Sequence, residues 1–104
     1  MPRFIASYDL KETKPDAHED FADKAIEHGW SPWILDHDQT TLFTLPSTTL
    51  HGSFVDQTHA VAALNATRAE TEKELGIKVI MEKWLVVRYE AMPDFDSNER
   101  EKTG

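Results

Sequence analysis

The chain contains no cysteine. Disulfides and thiolate metal sites are therefore excluded. No apolar stretch approaches the ~18 residues of a membrane span, so no membrane partner is expected. The opening residues MPRFIASYDL lack a basic segment followed by a long apolar region. A secretion signal is not expected, and the cytoplasm is the expected compartment. Positive charge is also scarce, with 11 lysines and arginines against 19 acids and a net charge of −8. Residues 9–27 hold seven acids and three bases, and residues 90–104 hold five acids and two bases. Such a chain is repelled by nucleic-acid phosphates overall, because binding them depends on Lys and Arg displacing counterions. In the plainer reading the acidity serves solubility. In the sharper one an acidic face imitates nucleic acid for a basic partner.

What is present fits one domain. The 104 residues are 39% hydrophobic and the apolar positions are well spread, which excludes a wholly disordered chain. Residues 3–10 (RFIASYDL) have the aromatic and partly alternating pattern of a strand. Pro15 suits the first turn of a helix, Asp16, Glu19 and Asp20 suit its positive end, and Gly29 suits its close. Phe21, Ala22, Ala25 and Ile26 form its apolar stripe, so a first helix is expected over 15–28. Residues 30–36 (WSPWILD) form a second strand, placed at an edge by Pro32. DHDQ (36–39) then suits a hairpin turn, and TTLFTL (40–45) a third strand.

A loop, PSTTLHGSF, is expected next. Asp56 caps a second helix over 57–75, along which Val61, Leu64, Arg68, Thr71 and Leu75 repeat, and Gly76 ends it. The run IKVIMEKWLVVRYE (77–90) is rich in β-branched residues and apolar on both faces, with Val79, Met81, Leu85, Val87 and Tyr89 on one and Ile80, Trp84 and Val86 on the other. Its length predicts a bend near Glu82-Lys83 and hence a fourth and a fifth strand. Residues 1–90 make the expected domain, and 91–104 an acidic flexible tail with too few apolar residues to dock.

The order strand–helix–strand–strand–helix–strand predicts an α+β fold of ferredoxin-like βαββαβ type, an antiparallel sheet with two helices on one face and a fifth C-terminal strand. Helices cover only one face. The other, expected to include Trp84, needs a cover, most simply a second copy of the chain.

A strand ending in Asp9, the HGWSPWIL segment after the first helix and the C-terminal KWLVVRYE resemble, as a pattern over most of the chain, the small CRISPR-associated adaptation nucleases and their relatives, the VapD-type toxins and the GhoS-type antitoxin endoribonuclease. The resemblance implies two ferredoxin-like protomers joined face to face, with the C-terminal strand crossing to the partner's sheet. It also implies a toxin–antitoxin or phage-defence setting, and two symmetry-related Asp9 carboxylates holding one Mg²⁺.

The candidate catalytic residues are Asp9, Tyr8 before it, and His51; Asp9 is also the candidate metal ligand. A carboxylate suits Mg²⁺, whose retained waters can attack a phosphodiester, but an Asp after a strand is also ordinary loop chemistry. His51 lies in LPSTTLHGSFVD (45–56) among the hydroxyls of Ser47, Thr48, Thr49 and Ser53, beside Gly52. A flexible glycine lets amides approach a phosphate and a histidine can act as acid or base. The plainer alternative is a loop whose hydroxyls satisfy backbone amides.

Asp36, His37 and Asp38 have metal-ligand side chains, but neighbours in a turn face apart. His59 and His51 make a histidine pair without a third ligand. Trp30, Trp33 and Trp84 suit base stacking or, more commonly, a core or interface. The reading placed first is a small dimeric interaction or regulatory protein with an unidentified protein partner and no cofactor. The alternatives are a Mg²⁺-dependent endoribonuclease acting on RNA at Asp9, and an acidic nucleic-acid-mimicking inhibitor.

Overall fold

A computed structural model describes residues 1–35, 40–98 and 100–102. Its elements are β1 (Arg3–Leu10), α1 (His18–Glu27), β2 (Trp30–Ser31), β3 (Trp33–Leu35), β4 (Thr41–Thr44), β5 (Thr49–Ser53), α2 (Gln57–Leu75), β6 (Met81–Tyr89) and β7 (Arg100–Lys102). The protein is α+β. The main sheet has the order β2-β5-β1-β6 and is antiparallel throughout; a smaller antiparallel sheet has the order β3-β4-β7.

β1 is central because its alternation is nearly perfect. Phe4, Ala6, Tyr8 and Leu10 are buried on the helix side, and Arg3, Ile5, Ser7 and Asp9 point the other way. Against the first set pack Ala17, Phe21, Ala25, Trp30, Leu50, Ala60, Leu64, Val79 and Val86, which together form one core. α2 spans the expected residues: the Asp56 carboxylate accepts from the His59 amide at 2.9 Å, and Gly76 closes the helix at φ 66°. Its buried line is Ala60, Leu64, Thr67 and Thr71, small enough for close approach. The two threonine hydroxyls donate to the carbonyls of Ala63 and Thr67, both at 2.8 Å, so neither is left unpaired in the core.

α1 starts at His18 rather than Pro15, where the Asp16 carboxylate accepts from the His18 amide. Only Phe21 and Ala25 of its expected stripe are fully buried, and Ile26 is exposed.

Four expectations need correction. Pro32 splits the expected strand 30–36 in two: β2 joins the main sheet and β3 the smaller one. A proline lacks the N–H that a continuous ladder needs, and here the chain changes sheets at that point. The expected loop PSTTLHGSF contains β5, which pairs directly with β1 from Arg3↔Ser53 to Ser7↔Thr49. The third strand of the main sheet is thus 49–53, and TLFT (41–44) belongs to the smaller sheet. Glycine is depleted in strands, yet Gly52 is required here: a Cβ would lie 2.7 Å from the Gly29 carbonyl oxygen and from the Phe54 ring.

The long run does not divide into two strands. β6 is continuous over Met81–Tyr89. Its ladder shifts from Asp9↔Lys83 to Leu10↔Met81, so Glu82 is the extra residue of a bulge, and the bulge absorbs the expected bend. Finally, the C-terminal residues contribute structure. β7 pairs with β4, and the Phe95 ring meets the Phe43 ring edge-on at 5.2 Å. The expected turn at 36–39 lies outside the described residues.

The smaller sheet and the segment after β6 lie against the face of the main sheet that the helices leave open. Ile34, only 2% exposed, lines a cleft there with Ile5, Pro93 and Phe95. The chain therefore covers part of this face itself. Among the described residues no helix is long and apolar enough to cross a membrane.

Candidate functional site

Tyr8 and Asp9 are neighbours in sequence but lie on opposite faces of β1. Tyr8 is 4% exposed and its ring stacks 4.5 Å from that of Phe21. Burial pushes its phenol up to about 12, so it is a core residue that stays protonated at neutral pH. Asp9 is exposed on the other face and stands opposite Lys83 in the ladder. The shallow cleft beside it, of 240 Å³, is lined by Ser7, Tyr8, Lys83, Trp84 and Leu85 and adds no second carboxylate. Mg²⁺ needs several oxygen ligands and is opposed by a neighbouring ammonium. Within one chain the residues around Asp9 do not fit such an ion. Among the described residues no three His, Asp or Glu side chains converge on a common point.

His51 lies elsewhere. It pairs with Ile5 in the ladder, four residues along β1 from Asp9, or about 13 Å at ~3.3 Å per residue. Its side chain points to the face opposite the helices and meets Tyr89 from β6. Nε2 of His51 shares a hydrogen bond with the Tyr89 hydroxyl, and the rings lie 5.6 Å apart. The Arg3 guanidinium sits 5.0 Å above the Tyr89 ring, and one of its N–H groups donates to the Glu90 carbonyl at 2.7 Å. Three strands thus place Arg3, His51 and Tyr89 side by side, because His51, Ile5, Val87, Arg3 and Tyr89 share one face.

Burial first, and the Arg3 charge second, hold the His51 imidazole below its ordinary range. Burial raises the Tyr89 phenol, partly offset by Arg3. At neutral pH both groups are therefore uncharged, and Arg3 is the charge of the cluster. The cluster forms one wall of a 330 Å³ cleft between the two sheets, with Ser31 beside it and Trp33, Ile34, Leu35, Leu42 and Met92 as the apolar remainder. It offers a guanidinium and two neutral polar groups, and the hydroxyl that meets the imidazole belongs to a phenol whose acidity burial lowers.

Of this cluster only His51 stands among the residues the sequence marks. Arg3 and Tyr89 are missed because each looks like the end of a strand. Only the knowledge that 49–53 is a strand next to β1 would have joined them.

A third feature is the edge strand β6, which among the described residues pairs only with β1. Trp84, Leu85 and Val87 on it are 45%, 51% and 51% exposed. Trp84 pairs with the core residue Tyr8 and so lies on the helix side, not on the open face where the sequence placed it. Leu85 and Val87, opposite Ser7 and Ile5, are on the open face.

The remaining candidates separate. The His59 Nδ1 lies 2.7 Å from the Asp56 carboxylate at the start of α2, and its role there is to complete the helix cap. Trp30 is in the core against Phe54, while Trp33 lines the cleft. Of the hydroxyl-rich segment, Thr48 has φ 60° and its carbonyl accepts from the Tyr8 amide at 3.1 Å, so it turns the chain into β5. Asp36, His37 and Asp38 lie outside the described residues.

No family model, no curated protein and no solved structure matches this chain.

Proposed function

We propose that this protein is a small interaction or regulatory protein that works as a homodimer on a ferredoxin-like arrangement. The strand order β2-β5-β1-β6 supports the arrangement, as do α1 following β1 and α2 preceding β6 with both helices on one face. The observation that carries the dimer is the bare edge of β6 with Trp84, Leu85 and Val87 exposed along it. An exposed apolar edge strand is a template for further pairing, and monomers normally blunt it with charge or cover it. Here the charges sit toward the ends, at Glu82, Lys83 and Arg88, and the middle is apolar.

A second copy related by a two-fold axis through the sheet presents the same strand antiparallel, which the ladder accepts without distortion. A register centred on Val86 sets Leu85 against Val87 of the second copy, and Trp84 against its Arg88, where the guanidinium can stack on the indole. The solitary Asp9 facing Lys83 weighs toward this reading over the endoribonuclease.

Hydrogen exchange of the β6 amides tests it. In the dimer the amides that point away from β1 exchange slowly at high protein concentration and faster on dilution. Rapid exchange of those amides at every concentration would count against the proposal.

A further inference from the structure

We propose that the cleft between the two sheets binds a small monocarboxylate with an apolar body, its carboxylate on Arg3 and its hydrocarbon or aryl part against Trp33, Leu42 and Met92. Arg3 is the starting point. In a chain with 19 acids and 11 bases, a guanidinium in a part-buried cleft would be expected to have a carboxylate beside it. Among the described residues it has none; the nearby Glu90 carboxylate lies 3.4 Å from Arg88 instead. Of the five N–H groups of Arg3, one is used by the Glu90 carbonyl. The rest form the planar fork that recognises a carboxylate with two parallel hydrogen bonds. The ring of Tyr89 beneath fixes the guanidinium plane, which lowers the ordering cost of binding.

The charge of the ligand follows from its surroundings. One cation and a neutral imidazole–phenol pair match a single negative charge. A phosphate dianion would leave a charge uncompensated inside a strongly acidic protein. The Ser31 hydroxyl lines the same wall and adds a donor.

The body of the ligand follows from the opposite wall. The cleft, at 330 Å³, is near the small end of the ~300–1,000 Å³ typical of ligand pockets, and most of its lining is aliphatic or aromatic. Acetate would fill little of it. Benzoate or hexanoate would cover Trp33 and Leu42 and remove apolar surface from water.

The inference does not depend on dimerisation, since every residue it uses comes from one chain and none lies between Lys83 and Arg88. The test is a titration of the ¹⁵N-labelled full chain with benzoate, hexanoate, acetate and inorganic phosphate, followed by amide chemical shifts. Benzoate and hexanoate should bind at millimolar or lower concentration with shifts centred on Arg3, Ser31, Leu42 and His51, and acetate and phosphate should bind more weakly. Arg3→Gln should weaken the binding of benzoate by about tenfold or more. Leu42→Trp, which fills the cleft and leaves Arg3 in place, should abolish it, so the proposal does not rest on Arg3→Gln remaining folded. No shifts at the cleft with either apolar carboxylate would overturn the proposal. So would phosphate binding as tightly as benzoate, or a folded Leu42→Trp variant that binds like the wild type.

Discussion

The His51 imidazole and the Tyr89 hydroxyl, 38 residues apart in sequence, are joined by a hydrogen bond that bridges β5 and β6 over the top of β1. Each depends on the other for a polar partner in a part-buried cleft, and each is displaced from its ordinary titration range by burial.

The pair predicts a pH dependence. The folded state holds His51 below its unfolded value of 6.5, so protonation favours the unfolded chain. The contribution is complete above the unfolded value and is lost as pH falls through the folded one. Urea unfolding at about pH 7.5 and pH 5.5 should show wild type losing more stability on acidification than His51→Gln, in which that proton is never taken up. Because the other four histidines are common to both proteins, the difference reports His51. Equal losses would show that His51 is not held neutral.

Gly52→Ala tests the close packing of the 49–53 strand against β2 and the Gly29 turn before it. The new methyl would meet the Gly29 carbonyl oxygen and the Phe54 ring at 2.7 Å and Trp30 at 3.2 Å. Backbone cannot swing aside as a side-chain tip can. The expected cost is about 1–3 kcal/mol, the usual range for overpacking, measured by chemical denaturation. An unchanged midpoint would mean that β2 and β5 are not so close.

Phe95→Ala tests whether the C-terminal segment is a working part of the fold. Its ring packs on Phe43 and lines the cleft with Ile5 and Ile34. It is only partly buried, so about 1–2 kcal/mol is expected, below the ~3–5 kcal/mol of a fully buried phenylalanine. No loss on thermal unfolding would return residues 91–104 to the flexible tail that their composition suggests.

Asp9→Asn should change stability by less than about 1 kcal/mol, as befits an exposed residue facing a lysine. Wild-type protein with Mg²⁺ or Mn²⁺ should leave single-stranded RNA intact on a gel. Metal-dependent cleavage that disappears in a folded Asp9→Asn variant would put the endoribonuclease reading first.

The legible parts of the fold are those where one residue type has one role. Asp56 and Gly76 bracket α2 because a capping carboxylate and a left-handed glycine have few other uses. β1 is legible because its alternation is clean. β5 is hidden because its inward positions are Leu50 and Gly52 and its outward ones Thr49, His51 and Ser53, so a true alternation looks like a polar loop. Trp84 was misplaced for a different reason: residues 77–80 lie outside β6 and Glu82 is a bulge, so alternation counted from Val79 carried a slip of one residue. The candidate site suffered most. Arg3 and Tyr89 acquire meaning only through a ladder register, and register is a property of pairing between strands, which local pattern does not carry.

The most direct measurement is sedimentation velocity of the wild type and of Leu85→Glu at micromolar concentration. Leu85 is half exposed in the single chain, so the variant should fold normally. In the proposed dimer the new carboxylate is buried against an apolar neighbour, at a cost of several kcal/mol. The wild type should sediment at twice the 11.9 kDa of one chain, and Leu85→Glu as a monomer with an unchanged fold. A wild-type monomer of normal stability, or a Leu85→Glu variant that remains dimeric, would contradict association through β6.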